Sequence, residues 1–105
     1  MAARMESFNA KVNEIVYLPA GSPDSAMVEI LVRIETGSFP VRLGPAAFLK
    51  EHGLIVREGD SVHITGFAVT GIDGDLFVAT EISKDATHLT LRDSRGRSAW
   101  GDGQR

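Results

Sequence analysis

Several groups of residues in this chain have the right types for chemistry, and each also has a plainer structural role. Asp73-Gly74-Asp75 and Glu58-Gly59-Asp60 bring carboxylates close together, the raw material of general acid-base catalysis or of calcium ligation. Glycine beside acidic residues is also what a tight turn requires. No third carboxylate follows at calcium-loop spacing, so both are read as turns. His52, His63 and His88 lack the short paired spacing of metal ligands, and the absence of cysteine removes thiolate ligands and a thiolate nucleophile together. There is no Gly-x-Ser-x-Gly, no Gly-x-Gly-x-x-Gly and no phosphate loop; Gly21-Ser22, Gly37-Ser38 and Asp60-Ser61 are turn positions. The chain is therefore expected to be noncatalytic and to carry no cofactor or metal.

The arginine-rich end is more suggestive. Arg92, Arg95 and Arg97 surround a turn and Trp100 follows within eight residues, and cations beside an aromatic ring can hold nucleotides or other anions. Alternatively, Trp100 folds back to plug the end of the β structure while the arginines pair with the acidic body. Plugging is the favoured reading, because a lone Trp in a small domain is a large apolar group that usually becomes buried. Further candidate ligand contacts are Arg33 and Arg42 on the second and third strands, and Phe67 and Phe77, which face each other across an Asp-Gly hairpin and can form a small exposed patch.

Charge narrows the partner. The net charge is −3, with seven basic against twelve acidic side chains before residue 92 and four against two from residue 92 onward. An acidic body argues against nucleic-acid binding driven by phosphate neutralisation. No stretch approaches the roughly 20 apolar residues of a membrane helix, and residues 1–8 lack the apolar run of a signal peptide. A soluble protein with no membrane partner is expected, cytoplasmic by default, although a longer exported precursor would look the same.

The elements that position these residues are mostly strands. Phe8 to Leu18 is rich in β-formers and ends at the turn cluster Pro19–Ser25. Met27 to Glu35 alternates cleanly, with Val28, Ile30, Val32 and Ile34 on the core face. Thr36-Gly37-Ser38 leads into a short third strand in which Phe39, Val41 and Leu43 point inward. Pro40 cannot donate to a ladder, so this strand is expected at an edge. Gly44 to Gly53 has Pro at a first helical position and Gly at the cap, one short helix. Val62 and Ile64 begin a strand that Gly66 interrupts as a bulge, and Asp73-Gly74 turns it into Leu76–Ile82. His88 to Arg92 is a sixth short strand.

Three strands, a helix and two strands, with a β tail, is the element order of a five-stranded OB-fold barrel. The expected class is all-β with one short helix, a single domain over 1–105 with its core at about 8–92 and its tail at 93–105. Three blocks strengthen this: Gly44-Pro45-Ala46; Glu58-Gly59-Asp60-Ser61-Val62 with Thr65-Gly66; and Leu91-Arg92-Asp93-Ser94-Arg95-Gly96-Arg97 with Ala99-Trp100. In that order they resemble a family of small, mostly uncharacterised bacterial and archaeal OB-fold proteins, with Ala47, Phe67 and Ser98 standing where that family has Trp, Ser and Pro. The resemblance implies the fold and, by fold analogy, nucleic-acid binding. The functional expectation is a binding module for a protein partner or its own copy, acting through an edge strand and the Arg-Trp tail. The alternative is single-stranded nucleic-acid binding on the face of the second and third strands.

Overall fold

The computed structural model describes residues 5–18, 26–71, 74–93, 95 and 97–100. The expected turns at Pro19–Ser25 and Asp73, and the positions Ser94 and Gly96, lie outside the described residues. The elements run β1 (Glu6–Leu18), β2 (Met27–Ile34), β3 (Gly37–Pro45), α1 (Ala46–Glu51), β4 (Ser61–Gly71), β5 (Gly74–Lys84) and β6 (Thr87–Thr90). The sheet order is β3-β2-β1-β4-β5-β6, and β3 also pairs in parallel with β5, which closes the first five strands into a ring. This is an OB-type barrel with one short helix, and β6 is added on the outside of β5.

Alternation decides the core. Val12, Ile30, Val32, Val41, Leu43, Ile64, Ile82 and Leu91 are almost completely buried, each at an inward position of its strand or, for Leu91, just after β6. Phe8, Phe39 and Phe77 pack edge to face, with ring centroids 5.1–6.1 Å apart, at the level where β1, β3 and β5 approach.

β3 is not a simple edge. It pairs with β2 along its length, and it meets β5 only at Val41–Phe77 and Arg42–Val78. Pro40 therefore sits one residue before the second ladder begins, where its missing N–H costs no strand pairing. Nor is Pro45 inside the helix: it is the N-cap, in extended conformation, and Gly53 does take the left-handed conformation expected of it, at φ 77°.

The Glu58-Gly59-Asp60 turn is a hook on β1. Gly59 sits at φ 92°, its N–H donates to the Val12 carbonyl, and the Val12 N–H donates to the Asp60 carbonyl. The Asp60 carboxylate accepts from the Arg57 N–H at 2.7 Å and from Lys84 Nζ at 2.9 Å, so it is committed to the turn. Gly66 is the expected irregularity: the β4–β5 register shifts between Thr65 and Gly66, leaving Thr80 as the extra residue on β5.

Candidate binding surface

The Arg-Trp tail is built into the barrel. Leu91 is core, and the chain then turns back so that Arg92 bridges to Ser98 and the Ala99 N–H donates to the Leu91 carbonyl. Asp93 shapes that turn: Oδ1 accepts the N–H groups of Arg95 and Arg97, and Oδ2 accepts Arg97 Nε, each at 2.9 Å. These bonds, led by the Arg97 N–H, hold the Asp93 carboxyl below its ordinary value of 3.8.

Arg92 points inward. Its Nη1 donates to the carbonyls of Leu43, at 3.0 Å, and Ala79, at 2.6 Å. Leu43 and Ala79 are the residues immediately after the last β3–β5 pair, so the guanidinium continues the closure of the barrel where the two strands part. Burial, and then the charge of Arg42, lower its pKa from 12.5 to about 10, which leaves it protonated at neutral pH. Trp100 lies over the guanidinium, 4.9 Å from Cζ to the ring centroid, and meets Phe48 edge to face at 5.2 Å. A Cβ on Gly44 would stand 2.8 Å from the Trp100 ring, so the first and third sequence blocks meet here. The ring does fold back onto the core, but among the described residues the tail arginines form no ion pair with the acidic body. Arg92 takes backbone carbonyls, and Arg97 takes the Asp93 of its own turn.

Because Asp93 titrates lower in the folded than in the unfolded chain, its contribution is present above pH 3.8 and is lost as the pH falls through the lower folded value. Asp93→Asn is expected to melt below the wild type at pH 7. The gap should close below about pH 4, as thermal melts across that range would show. An unchanged gap at acid pH would mean that the carboxylate charge is not what holds the turn.

The remaining candidates divide by face. The register sets Phe67 beside Val78 and Ala68 beside Phe77, so the two phenylalanines face opposite sides of the sheet. Phe77 is buried in the aromatic cluster, which removes it from any exposed patch, while Phe67 faces outward and is half-buried. Arg42 is also outward, but Nε and Nη2 both donate to Glu29 Oε2, at 2.9 and 2.6 Å, so its charge is largely neutralised. Arg33 is exposed and next to Lys11 in the β1–β2 register; neither forms a side-chain hydrogen bond or ion pair among the described residues.

Around Phe67 the outer face is apolar, which the sequence reading did not recognise. Outward positions on β2, β3, β5 and β4 carry Leu31, Pro40, Leu76 and Val69 in one row, with Val78 and Phe67 beside them. All are at least partly exposed, Val69 most at 41%. The signal available in sequence was β5 read from the other side: Leu76 and Val78 alternate against Phe77.

Across β1, β4, β5 and β6 the outer face is polar instead. Asn9, His63, Ser83 and His88 form one cross-strand row, and Ser7, Thr65, Glu81 and Thr90 form the next. Ser83 Oγ lies 2.8 Å from His88 Nδ1 and Glu81 Oε1 lies 3.4 Å from Nε2, but the imidazole and the carboxylate are each about half exposed on an open sheet. Among the described residues no group of three His, Cys, Asp or Glu could hold a metal ion, and no helix is long and apolar enough to cross a membrane.

The fold has close counterparts. The chain is similar to the second OB-fold domain of replication protein A from Methanococcus maripaludis, with TM-score 0.60 and 18% identity over 84% of this chain and 90% of that one. It is also similar to Rim1, a mitochondrial single-stranded DNA binding protein of S. cerevisiae, with TM-score 0.58 and 11% identity over 86% of this chain and 100% of that one. At these identities the likeness is one of fold. No curated protein matches the chain. Residues 4–89, which include the Gly44-Pro45-Ala46 and Glu58–Gly66 blocks and stop short of Leu91–Trp100, match a family model, and the chain belongs to the MamS/MamX magnetosome protein family.

Proposed function

We propose that this chain is a noncatalytic binding module that engages a protein partner through the outer face of β2, β3, β4 and β5. The observation that carries this reading is the apolar strip of Leu31, Pro40, Leu76, Val69, Val78 and Phe67, which crosses four strands of a barrel whose interior is already filled. Surface apolar residues scattered singly need no explanation, whereas a contiguous strip framed by polar groups marks an interaction site. The Glu29–Arg42 pair borders it and can serve as its polar rim. Arg92 and Trp100 are held by the barrel, so among the described tail residues the exposed cations are Arg95 and the Asp93-paired Arg97.

A second reading is single-stranded nucleic-acid binding, and the exposed Lys11–Arg33 pair at the end of the β2–β3 face favours it. Both structural counterparts carry this fold, and Rim1 is named for single-stranded DNA binding. Against it stand the net charge of −3 and an outer face whose aromatic content is one half-buried Phe67.

Two measurements separate the readings. Affinity capture from the native host with the wild type and with Val69→Lys as baits is expected to return a protein with the first and not with the second, both baits melting alike. Titration with single-stranded oligonucleotides is expected to show only weak binding that fades with salt, as for about two phosphate contacts. Micromolar binding at physiological salt that disappears in Lys11→Ala/Arg33→Ala would replace the protein reading with the nucleic-acid one.

A further inference from the structure

One strand over from the outer strip, where Glu14 pairs with Leu31 and Val16 with Glu29, the far half of β1 has one edge that is unpaired among the described residues. Glu6–Lys11 pair with β4 on that side, and the N–H and carbonyl of Val12 are taken by Asp60 and Gly59. Beyond Val12, among the described residues, no backbone hydrogen bond reaches that side of Glu14–Leu18, which pair only with β2. The edge borders an apolar groove of about 290 Å³, lined by Ile15, Tyr17, Val28, Leu49, Leu54 and Ile55 among others. Of that lining, Tyr17 at 61% and Ile55 at 56% are among the most exposed large hydrophobic side chains of the described residues, and Val16, at 37%, is exposed on the opposite face of β1.

A free strand edge beside an apolar groove is the geometry of strand addition, in which main-chain bonds hold the incoming strand and the groove takes alternate side chains. Other edges are blunted: β3 carries Pro40 just before its second ladder begins, and β6 has only four residues. Glu14–Leu18 has neither Pro nor Lys to repel a partner.

We infer that the strand fitting this edge is the same segment of a second copy, paired antiparallel about Val16. That register sets Val16 opposite Val16, Ile15 opposite Tyr17 and Glu14 opposite Leu18. No like charges face each other, which is the electrostatic condition a self-pairing strand must meet. Ile15 and Tyr17 both line the groove, so each copy's Tyr17 covers the groove mouth of the other, at the cross-strand spacing of about 5 Å. The arrangement is two-fold symmetric and closes on a dimer. It uses none of the residues of the outer strip, although Glu14 is the cross-strand neighbour of Leu31 at the strip's end.

Sedimentation over a concentration series is expected to show a reversible dimer of the whole chain. Tyr17→Lys, at an exposed position that the fold tolerates, should weaken it at least tenfold, while Val69→Lys should leave it intact; melts of both variants check folding. Because the chain contains no cysteine, Val16→Cys gives an unambiguous second test: opposed residues of an antiparallel pair bring their Cα atoms within disulfide range, so a covalent dimer should form without reductant. A monomer up to millimolar concentration would overturn the inference. So would a dimer that Tyr17→Lys leaves unchanged and Val16→Cys fails to link. A dimer dissolved by Val69→Lys alone would place self-association on the outer strip, overturning this inference and identifying the partner of that strip as the chain itself.

Discussion

Gly66→Ala is expected to abolish stable folding, although it adds a single methyl group. The new Cβ would lie 2.1 Å from the Val78 carbonyl oxygen, 2.7 Å from Phe77 Cε2 and 2.9 Å from Ala79 Cα. Two of these three atoms are backbone of the neighbouring strand, which cannot rotate away as a long side chain would. The strands can separate only by breaking the bulge, where Thr80 is accommodated by donating its hydroxyl to the Thr65 carbonyl. Overpacking a core costs about 1–3 kcal/mol where side chains yield, and a clash against backbone costs more, on the order of 4 kcal/mol or above. A domain of this size has only about 5–15 kcal/mol in total. Gly53→Ala is the control, since nothing lies within 4 Å of its Cβ and only the φ of 77° opposes it; its cost should be about 1 kcal/mol. Circular dichroism melts of both would decide. If Gly66→Ala melts within a few degrees of the wild type, β4 and β5 are free to move apart and the bulge is not the fixed point it appears from the packing.

Arg92→Leu is expected to cost about 3–5 kcal/mol, from the loss of donors rather than of volume. Leucine leaves the Leu43 and Ala79 carbonyls buried without the guanidinium, and each unsatisfied acceptor costs about 1–3 kcal/mol. Trp100 also loses the cation beneath its ring, a contact of about 1–2 kcal/mol when desolvated. The desolvation that lowers the arginine's pKa works the other way, because burying the charge is itself unfavourable, and this keeps the net loss below the simple sum. Arg92→Lys should lie between the two, since an ammonium keeps the charge but not the planar fork. Trp100 reports the outcome directly: its native emission should be blue-shifted in the wild type and move to the red in Arg92→Leu. Trp100→Ala should destabilise by a smaller amount, and the double variant by less than the sum, because the two residues share one contact. An Arg92→Leu protein with unchanged melting temperature and unchanged emission would show that the β3–β5 ladder closes the barrel without help.

The element order, the core and the bulge were legible because they rest on local rules. Val28, Ile30, Val32 and Ile34 alternate on one face whatever surrounds them, Gly53 is where a left-handed cap is needed, and Gly66 breaks an alternation that resumes after it. From those, a five-stranded barrel with a short helix followed by strand count and order alone. Long-range geometry decided the rest. The sequence shows that Gly44, Gly66, Arg92 and Trp100 are unusual, but not that Gly44 is bare because a ring from 56 residues later lies on it, or that Arg92 aims at two carbonyls. A cation beside an aromatic looks the same in sequence whether it waits for a ligand or closes a barrel. Only the crossing of β3 and β5 tells them apart, since it brings two carbonyls, one from each strand, within reach of one guanidinium. Phe67 and Phe77 were separated by register for the same reason: a one-residue difference in pairing sends one side chain to solvent and the other to the core. The apolar outer strip exists only once four strands lie side by side, because each strand contributes no more than two of its residues.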